Sequence, residues 1–263
     1  MRILFIGDVI GGVGRRILRD HLPALKQQYQ PDLTIVNGEN LAGGLGATSK
    51  LLHEITTYGA QVITMGNHTW KRSELIKDID TLDNVVRPAN FPPGTPGKRT
   101  VIHEIGDGRR AAVFNLVGRI FMEKNDCPFR AGVEIARQLR EQTPVVILDI
   151  HAEATSEKIA MGWYLDGKVS AVLGSHTHVQ TADERILPNG TAFITDVGMT
   201  GPHDGVIGMK NRQVLTKFVI GVPSRYEVSD GDPQLHGVFV EVNDSTGRAT
   251  GIERISLKFD QAV

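Results

Sequence analysis

The sequence contains very little cysteine and no long apolar run. Cys127 is the one cysteine in 263 residues, so an internal disulfide cannot form and a reducing compartment is expected. The N-terminal apolar run, residues 3–6, is followed by Gly7 and Asp8 and is too short for a signal peptide. No stretch approaches the roughly 20 apolar residues that a membrane-spanning helix needs. These absences predict a soluble, cytoplasmic protein with no membrane partner.

A surplus of positive charge is also missing. Lys and Arg number 29 against 30 for Asp and Glu, which leaves a net charge of −1 at pH 7 with neutral histidines. A protein that holds a long nucleic acid through its phosphates needs an excess of basic side chains. The charge balance therefore argues against a long nucleic acid as partner and favours a small phosphate-bearing substrate.

Short apolar runs alternate with amphipathic stretches along the chain and predict an α/β fold. The predicted strands of the first two thirds are residues 3–6, 33–36, 61–65, 111–117, 145–148 and 171–173, and the predicted helices are residues 13–29, 47–58, 129–141 and 155–165. Strand–helix–strand repetition implies parallel strands joined by right-handed crossovers.

Two regions depart from this alternation. Residues 87–98 are rich in proline and glycine and predict an irregular connection. The last third predicts mostly antiparallel strands at residues 192–195, 238–242 and 252–257, with one helix at residues 211–220. Since no linker, repeat or low-complexity tract separates these regions, a single domain spanning residues 1–263 is predicted.

Polar side chains follow five of the predicted strands at the point where each strand ends. They are Asp8, Glu39 with Asn40, Asn67 with His68, His151, and His176 with His178. In open α/β sheets, ligands bind outside the carboxyl ends of the strands. Because consecutive strand ends share one edge, side chains about 170 positions apart in sequence are expected to meet there.

These side chains form a mixed nitrogen and oxygen donor set. Such a set favours transition metals over Mg²⁺ or Ca²⁺, which prefer oxygen alone. Seven donors are too many for one catalytic ion with open positions, so two ions that share a carboxylate, roughly 3.5–4 Å apart, are predicted. The predicted metal ligands are Asp8, Glu39, Asn40, Asn67, His151, His176 and His178.

Taken singly, each of these residues has a plain structural explanation. Asp8 could cap the following helix, Asn67 and His68 could serve a turn, and His151 could be a hydrogen-bonded core histidine. The shared position at strand ends favours the metal site. The glycines of residues 7–14 do not have the spacing of a dinucleotide fingerprint, and we interpret them as a tight turn close to the metals.

Two further segments are candidates for contact with substrate. His203 lies in the Gly-rich loop 201–205, and a substrate contact is predicted for it. Residues 118–129 and 200–208 are predicted as loops over the site that set specificity. The sequence leaves open which substrate they select.

The strand-end motifs together resemble those of the calcineurin-like metallophosphoesterases, and most closely their YmdB-like branch. The motifs are Gly7-Asp8, Gly38-Glu39-Asn40, Gly66-Asn67-His68, His151 and Gly174-Ser175-His176-Thr177-His178, and the resemblance spans nearly the whole chain. The superfamily's usual Asp-x-His is Asp8-Val9-Ile10 here, and its Gly-Asp is Gly38-Glu39. The YmdB-like branch shares both changes.

The resemblance implies a sandwich of two mixed β-sheets flanked by helices, with metals at the carboxyl ends of strands. It implies a pair of transition-metal ions, iron or else manganese, and phosphodiesterase activity on 2′,3′- or 3′,5′-cyclic AMP. Glu39 would be the bridging ligand and His68 the proton donor. One ion would be held by Asp8, Glu39, Asn40 and His178, and the other by Glu39, Asn67, His151 and His176.

The mechanistic hypothesis is attack on phosphorus by a hydroxide that bridges the two metals, while His68 protonates the leaving oxygen. A phosphomonoesterase or 5′-nucleotidase is the enzymatic alternative. A regulatory protein whose turnover is incidental is the alternative from another class. Assembly into a homo-oligomer is expected from base rates and the resemblance.

Overall fold

The computed structural model describes residues 1–260, which form six α-helices and fourteen strands. The helices are α1 Gly11–Tyr29, α2 Ser49–Tyr58, α3 Ser73–Asp78, α4 Pro128–Arg140, α5 Thr155–Leu165 and α6 Asn211–Ile220, with a 3₁₀ turn at Ile79–Thr81. The strands are β1 Arg2–Ile6, β2 Asp8–Val9, β3 Leu33–Asn37, β4 Val62–Thr64, β5 Val85–Val86, β6 Thr100–Glu104, β7 Arg110–Val117, β8 Val145–His151, β9 Ala171–Ser175, β10 Arg185–Ile186, β11 Ala192–Ile194, β12 Met199–Pro202, β13 Pro233–Val242 and β14 Ala249–Lys258.

The strands form two mixed sheets. The eight-stranded sheet has the order β2-β12-β13-β1-β3-β4-β5, with β14 also paired to β13. Its strands β1, β3, β4 and β5 are parallel, while β13 runs antiparallel to β1. The six-stranded sheet has the order β10-β11-β9-β8-β7-β6, in which β7, β8, β9 and β11 are parallel.

The two sheets pack face to face, and the helices cover their outer faces. In β1, Ile3 and Phe5 point into the core between the sheets, while Leu4 and Ile6 point into the core beneath α1 and α2. This alternation follows from the two-residue period of a strand. A third core packs β7, β8 and β9 against α4 and α5. The predicted sandwich of two mixed sheets flanked by helices is confirmed.

Local sequence signals set the ends of several helices. Thr48 caps α2, its hydroxyl accepting a hydrogen bond from Leu51 N at 3.4 Å. Gly59 ends the same helix with a φ of 117°, a conformation that glycine adopts without steric cost. The predicted helix at residues 155–165 coincides with α5, and residues 87–98 contain no helix or strand, as expected.

The prediction of a loop at residues 200–208 is wrong in its first part. Met199–Pro202 form β12, which pairs with β2 on one side and with β13 on the other. The glycines of residues 7–14 serve this packing, because an added Cβ on Gly7 or Gly14 would collide with the backbone oxygens of Gly198 or Thr200. Gly7 and Gly14 therefore allow close packing against residues 198–200, and the approach of this turn to metals stays a prediction.

Among residues 1–260, no helix is both long enough and apolar enough to cross a bilayer.

Candidate metal centre

The predicted residues of both sheets meet in one buried cluster. Glu39 Oε1 lies 3.1 Å from His151 Nε2, and His178 Nε2 lies 3.7 Å from Asp8 Oδ1. The backbone N–H of His176 donates to Asp8 Oδ2 at 3.2 Å and so links the residues of one sheet to those of the other. Positions 8 to 178 thus converge as expected, and the assignment of these residues as metal ligands stays a prediction.

Strand order explains the convergence. Asp8 follows β1, Glu39 and Asn40 follow β3, and Asn67 and His68 follow β4, so they share the carboxyl edge of three parallel strands. His151 ends β8, and His176 and His178 follow the neighbouring β9. Asp8 is not the helix cap that its position also allowed, because the N-cap of α1 is Ile10.

One nitrogen, His151 Nε2, is surrounded by acceptor atoms. Asn67 Oδ1 lies 2.9 Å from it, His176 Nδ1 3.0 Å and Glu39 Oε1 3.1 Å. Ligand atoms of Glu39, His151 and His176 all lie within 4.8 Å of one another. A single hydrogen on Nε2 cannot satisfy three acceptors, whereas a cation in their midst would bind all four atoms.

A buried relay of side chains fixes the His151 ring. Its Nδ1 lies 2.9 Å from Ser175 Oγ, and that hydroxyl donates to Asp149 Oδ1 at 2.6 Å. Since the hydroxyl hydrogen is committed to Asp149, Ser175 accepts from Nδ1–H and Nε2 is left to face the cluster. Asp149 Oδ2 in turn accepts from Asn37 and Thr64.

The other two imidazoles are oriented by different partners. His178 Nδ1 donates to the carbonyl of Ile207 at 3.0 Å, which leaves its Nε2 toward Asp8. His176 Nε2 lies 3.1 Å from Glu153 Oε2, which leaves Nδ1 toward His151. Both residues have positive φ, 99° for His176 and 67° for His178. Non-glycine residues hold this conformation only where their surroundings enforce it.

A buried ion pair lies against this strained loop. Lys158 Nζ donates to Asp196 Oδ2 at 2.6 Å and to the carbonyl of Ser175 at 3.0 Å. Asp196 Oδ2 also accepts from the backbone N–H and the hydroxyl of Thr177. Lys158 and Asp196 therefore hold the chain in place on both sides of His176, through the Ser175 carbonyl and through Thr177.

The charges of the cluster perturb its acids and bases. Burial raises the pKa of Asp8. Burial opposes ionisation of Glu39, but His151 and His68 beside it outweigh burial and hold the Glu39 pKa well below its usual range. Burial likewise opposes protonation of His151, yet the carboxylates of Glu39 and Asp8 raise its pKa to about 9. Glu39 and His151 therefore stabilise each other's charged forms.

Two further observations fit a bound cation. Asp8 Oδ1 is buried and accepts no hydrogen bond from any of residues 1–260. Such an orphaned carboxylate oxygen is costly unless a cation or another donor meets it. Gly66 lies so close that an added Cβ would collide with Glu39 and with the His151 ring.

The side-chain amide of Asn40 has the opposite orientation to that expected of an oxygen ligand. Its Nδ2 lies 3.0 Å from Glu39 Oε1 and 3.4 Å from His178 Nε2, while its Oδ1 lies 2.8 Å from His68 Nδ1. Here the amide nitrogen, not the oxygen, faces the cluster. Asn40 would have to turn its amide over to serve as an oxygen ligand.

His68 and His203 differ in their relation to the cluster. His68 is part of it, with its backbone N–H donating to Glu39 Oε2 at 3.1 Å and its side chain 23% exposed. The ring of His203 packs edge-on against His236 with centroids 4.7 Å apart, and its Nδ1 donates to the Gly201 carbonyl. Within residues 1–260 no hydrogen bond joins His203 to the cluster, and its substrate contact stays a prediction.

Sequence reasoning missed the residues that support the cluster. Asp149, Ser175, Lys158 and Asp196 are buried polar groups that we had not singled out for a role. Asp149 carried a signal, since it is a carboxylate in β8 directly after the apolar residues 145–148. A charged residue at such a position requires a polar partner.

Comparison with known proteins agrees with this architecture. The family model described as YmdB-like protein matches residues 4–255. A Bacillus subtilis protein named 2′,3′-cyclic-nucleotide 2′-phosphodiesterase is 51% identical over 260 residues, which are 99% of this chain and 98% of that protein. These similarities confirm the prediction of an enzyme that hydrolyses phosphoric esters.

Solved structures show the same fold. A hypothetical protein from Thermus thermophilus has a TM-score of 0.91 at 40% identity, over 98% of this chain and 99% of that one. A novel phosphatase from Mycoplasma pneumoniae has a TM-score of 0.92 at 37% identity, over 98% of this chain and 93% of that one. Since the family model and the curated relative both cover nearly the whole length, this chain belongs to the YmdB-like branch of the metallophosphoesterases.

Proposed function

We propose that this chain is a two-metal phosphodiesterase that hydrolyses small cyclic nucleotides, with 2′,3′-cyclic nucleotides as its main substrates. The similarity to the Bacillus subtilis 2′,3′-cyclic-nucleotide 2′-phosphodiesterase supports this substrate class. The 3′,5′-cyclic nucleotides predicted from the sequence are the second class to be tested.

The observation that carries the proposal is the surplus of acceptors in the cluster. Three acceptor atoms lie within 3.1 Å of His151 Nε2, and Asp8 Oδ1 is buried without a hydrogen bond from residues 1–260. Bound cations would satisfy both the acceptor atoms around His151 Nε2 and the Asp8 oxygen that lacks a hydrogen bond. The nitrogen and oxygen donors are of the kind that transition metals accept.

We propose that the ligands form two groups that share Glu39. One group would be Glu39, Asn67, His151 and His176, and the other would be Asp8, Glu39, Asn40 and His178. When bound, two such ions supply a water of lowered pKa and neutralise charge on the phosphoryl oxygens. Iron or manganese is the identity we propose from the nitrogen and oxygen donors.

We assign protonation of the leaving oxygen to His68. Its Nδ1 lies 3.3 Å from Glu39 Oε1, which holds the ring at the cluster, and the partly exposed side chain can reach a substrate. Hydrolysis breaks one P–O bond of the cyclic diester, and the ribose oxygen that departs must gain a proton. General-acid assistance of this kind contributes roughly 10²–10⁴-fold in rate.

The test is hydrolysis of 2′,3′-cyclic AMP, 3′,5′-cyclic AMP and AMP by protein whose metal content has been measured. We expect turnover of the cyclic diesters, led by 2′,3′-cyclic AMP, and little release of phosphate from AMP. Turnover of AMP alone would instead support the phosphomonoesterase alternative. Protein that hydrolyses none of the three with its metals bound would contradict an enzymatic role on nucleotides.

A His68→Ala variant separates metal binding from proton donation. It should keep its metals and lose roughly 10²–10⁴-fold in turnover of 2′,3′-cyclic AMP, whose alkoxide leaving group needs a proton. An aryl phosphodiester should lose less, because a phenolate departs unaided. Equal losses on both substrates would remove His68 from the acid role.

Other features stay predictions. A single domain, a cytoplasmic location and a homo-oligomer are inferred from sequence alone. An inactive variant that still performs the cellular role would favour the regulatory alternative.

A further inference from the structure

A cavity of about 270 Å³ lies directly beside the metal centre. Trp70, Phe91 and Pro92 form apolar walls, and Asn125 of loop 118–129 contributes a polar group. Asn67 lines the same cavity, and its side-chain oxygen contacts His151 in the cluster. One of the candidate ligands, Asn67, therefore also lines this aromatic cavity.

The two aromatic rings already contact each other. The centroids of Trp70 and Phe91 are 6.2 Å apart with their planes tilted by 39°. Aromatic pairs lie roughly 4.5–7 Å apart, so a third ring has no room between them. A planar ligand would instead stack on the side of this pair that faces the cavity.

Both aromatic residues rest on rigid supports. Trp70 packs against the core beneath α1 and α2. The segment after Phe91 is held by buried Arg87, whose guanidinium donates to the carbonyls of Pro88, Thr95 and Pro96 at 2.7–3.0 Å. The cavity walls are therefore preformed, as is usual for small-molecule sites.

We propose that this cavity binds the nucleobase of the substrate, an inference that rests on the proposed phosphodiesterase function. In a 2′,3′-cyclic nucleotide one ribose ring separates the base from the phosphate, which matches a cavity that adjoins the cluster through Asn67. Stacking on an aromatic side chain recognises any base, since every base has a π-face. The volume lies below the roughly 300–1,000 Å³ of drug-sized sites, which suits a single base.

The primary test is the Phe91→Leu variant with two substrates. One is 2′,3′-cyclic AMP, and the other is glycerol 1,2-cyclic phosphate, a cyclic diester without a base. We expect the KM for 2′,3′-cyclic AMP to rise on the order of tenfold, as loss of one stacking contact predicts. The kinetics of the glycerol diester should stay within about twofold of wild type, because the metal centre is untouched.

Three further variants make the result specific. Phe91→Tyr keeps the ring and should retain the wild-type KM. Phe218→Leu removes an exposed phenylalanine on α6 that does not line the cavity, and it should change neither substrate. Thr95→Trp places a bulky side chain at another residue that lines the cavity, and it should weaken binding of 2′,3′-cyclic AMP selectively, whether or not Phe91→Leu folds.

The outcomes separate this inference from the proposed function. An unchanged KM for 2′,3′-cyclic AMP in both Phe91→Leu and Thr95→Trp, or equal losses on both substrates, would overturn the nucleobase site. Wild-type protein with bound metals that hydrolyses neither substrate would overturn the phosphodiesterase function itself, and the nucleobase site with it. Selective loss of 2′,3′-cyclic AMP would support both.

Discussion

Among the candidate metal ligands, the eight-stranded sheet supplies the oxygen donors, whereas the six-stranded sheet supplies the imidazole nitrogens. Asp8, Glu39 and Asn67 follow strands of the first sheet, and His151 and His176 come from the second. Neither sheet alone presents a mixed donor set. The candidate metal centre therefore depends on how the two sheets pack against each other.

The carboxylate ligands and the imidazole ligands are also fixed by different kinds of hydrogen bond. The carboxylates of Asp8 and Glu39 accept backbone N–H groups of His176 and His68. The imidazoles instead rely on outer partners, such as Ser175 for His151, that fix both the ring and its proton. A carboxylate has two equivalent oxygens, but an imidazole must present one chosen nitrogen, so the nitrogen side needs more support.

The largest expected effect comes from Glu39, the residue that the two proposed metal groups share. Glu39→Gln replaces a charged ligand by a neutral one of the same shape. It should lose bound metal and reduce phosphodiesterase activity by more than the roughly 100-fold typical of outer partners. Metal analysis and kinetics on 2′,3′-cyclic AMP check this, with Glu134→Gln on the exposed face of α4 as control. Full metal content in Glu39→Gln would break the division into two groups.

The second-largest expected effect comes from breaking the buried ion pair of Lys158 and Asp196, which supports the loop of His176 and His178. Asp196→Ala leaves the Lys158 ammonium buried without its carboxylate, which costs roughly 3–5 kcal/mol of folding free energy. Denaturant unfolding of the metal-free protein measures it. Glu227→Gln breaks the exposed pair with Lys210, 3.3 Å apart, and should cost no more than about 1 kcal/mol. Similar losses of unfolding free energy in both variants would show that Asp196 does not support the loop of His176 and His178.

The smallest expected effect isolates the outer support of one imidazole. Ser175→Ala removes the acceptor of the His151 Nδ1–H and should weaken metal affinity roughly 10–100-fold. Ser170→Ala is the matched control, since Ser170 is a buried serine next to the opposite end of β9. Equilibrium metal titration compares them. Equal affinities in the two variants would contradict the greater dependence of the nitrogen side on its partners.

Much of the fold was predictable because its signals are local. The helix at residues 155–165 and the strands that precede Asp8, Glu39 and Asn67 follow from apolar periodicity and short polar breaks. β12 was not predictable. Its sequence, Met199–Pro202, contains glycine and proline and becomes a strand only because β2 and β13 pair with it. Pairing between segments distant in sequence leaves no mark in a local pattern.

The sequence by itself determined the donor types and their positions at strand ends, since both follow from residues that are neighbours along the chain. Only the tertiary structure decided which of these side chains lie next to one another, which nitrogen each histidine presents, and that Asn40 turns its amide nitrogen toward Glu39 and His178. These depend on contacts between distant segments, such as that of His176 with Asp8, which are 168 residues apart. Such contacts are set by the packing of two sheets, which no short stretch of sequence encodes.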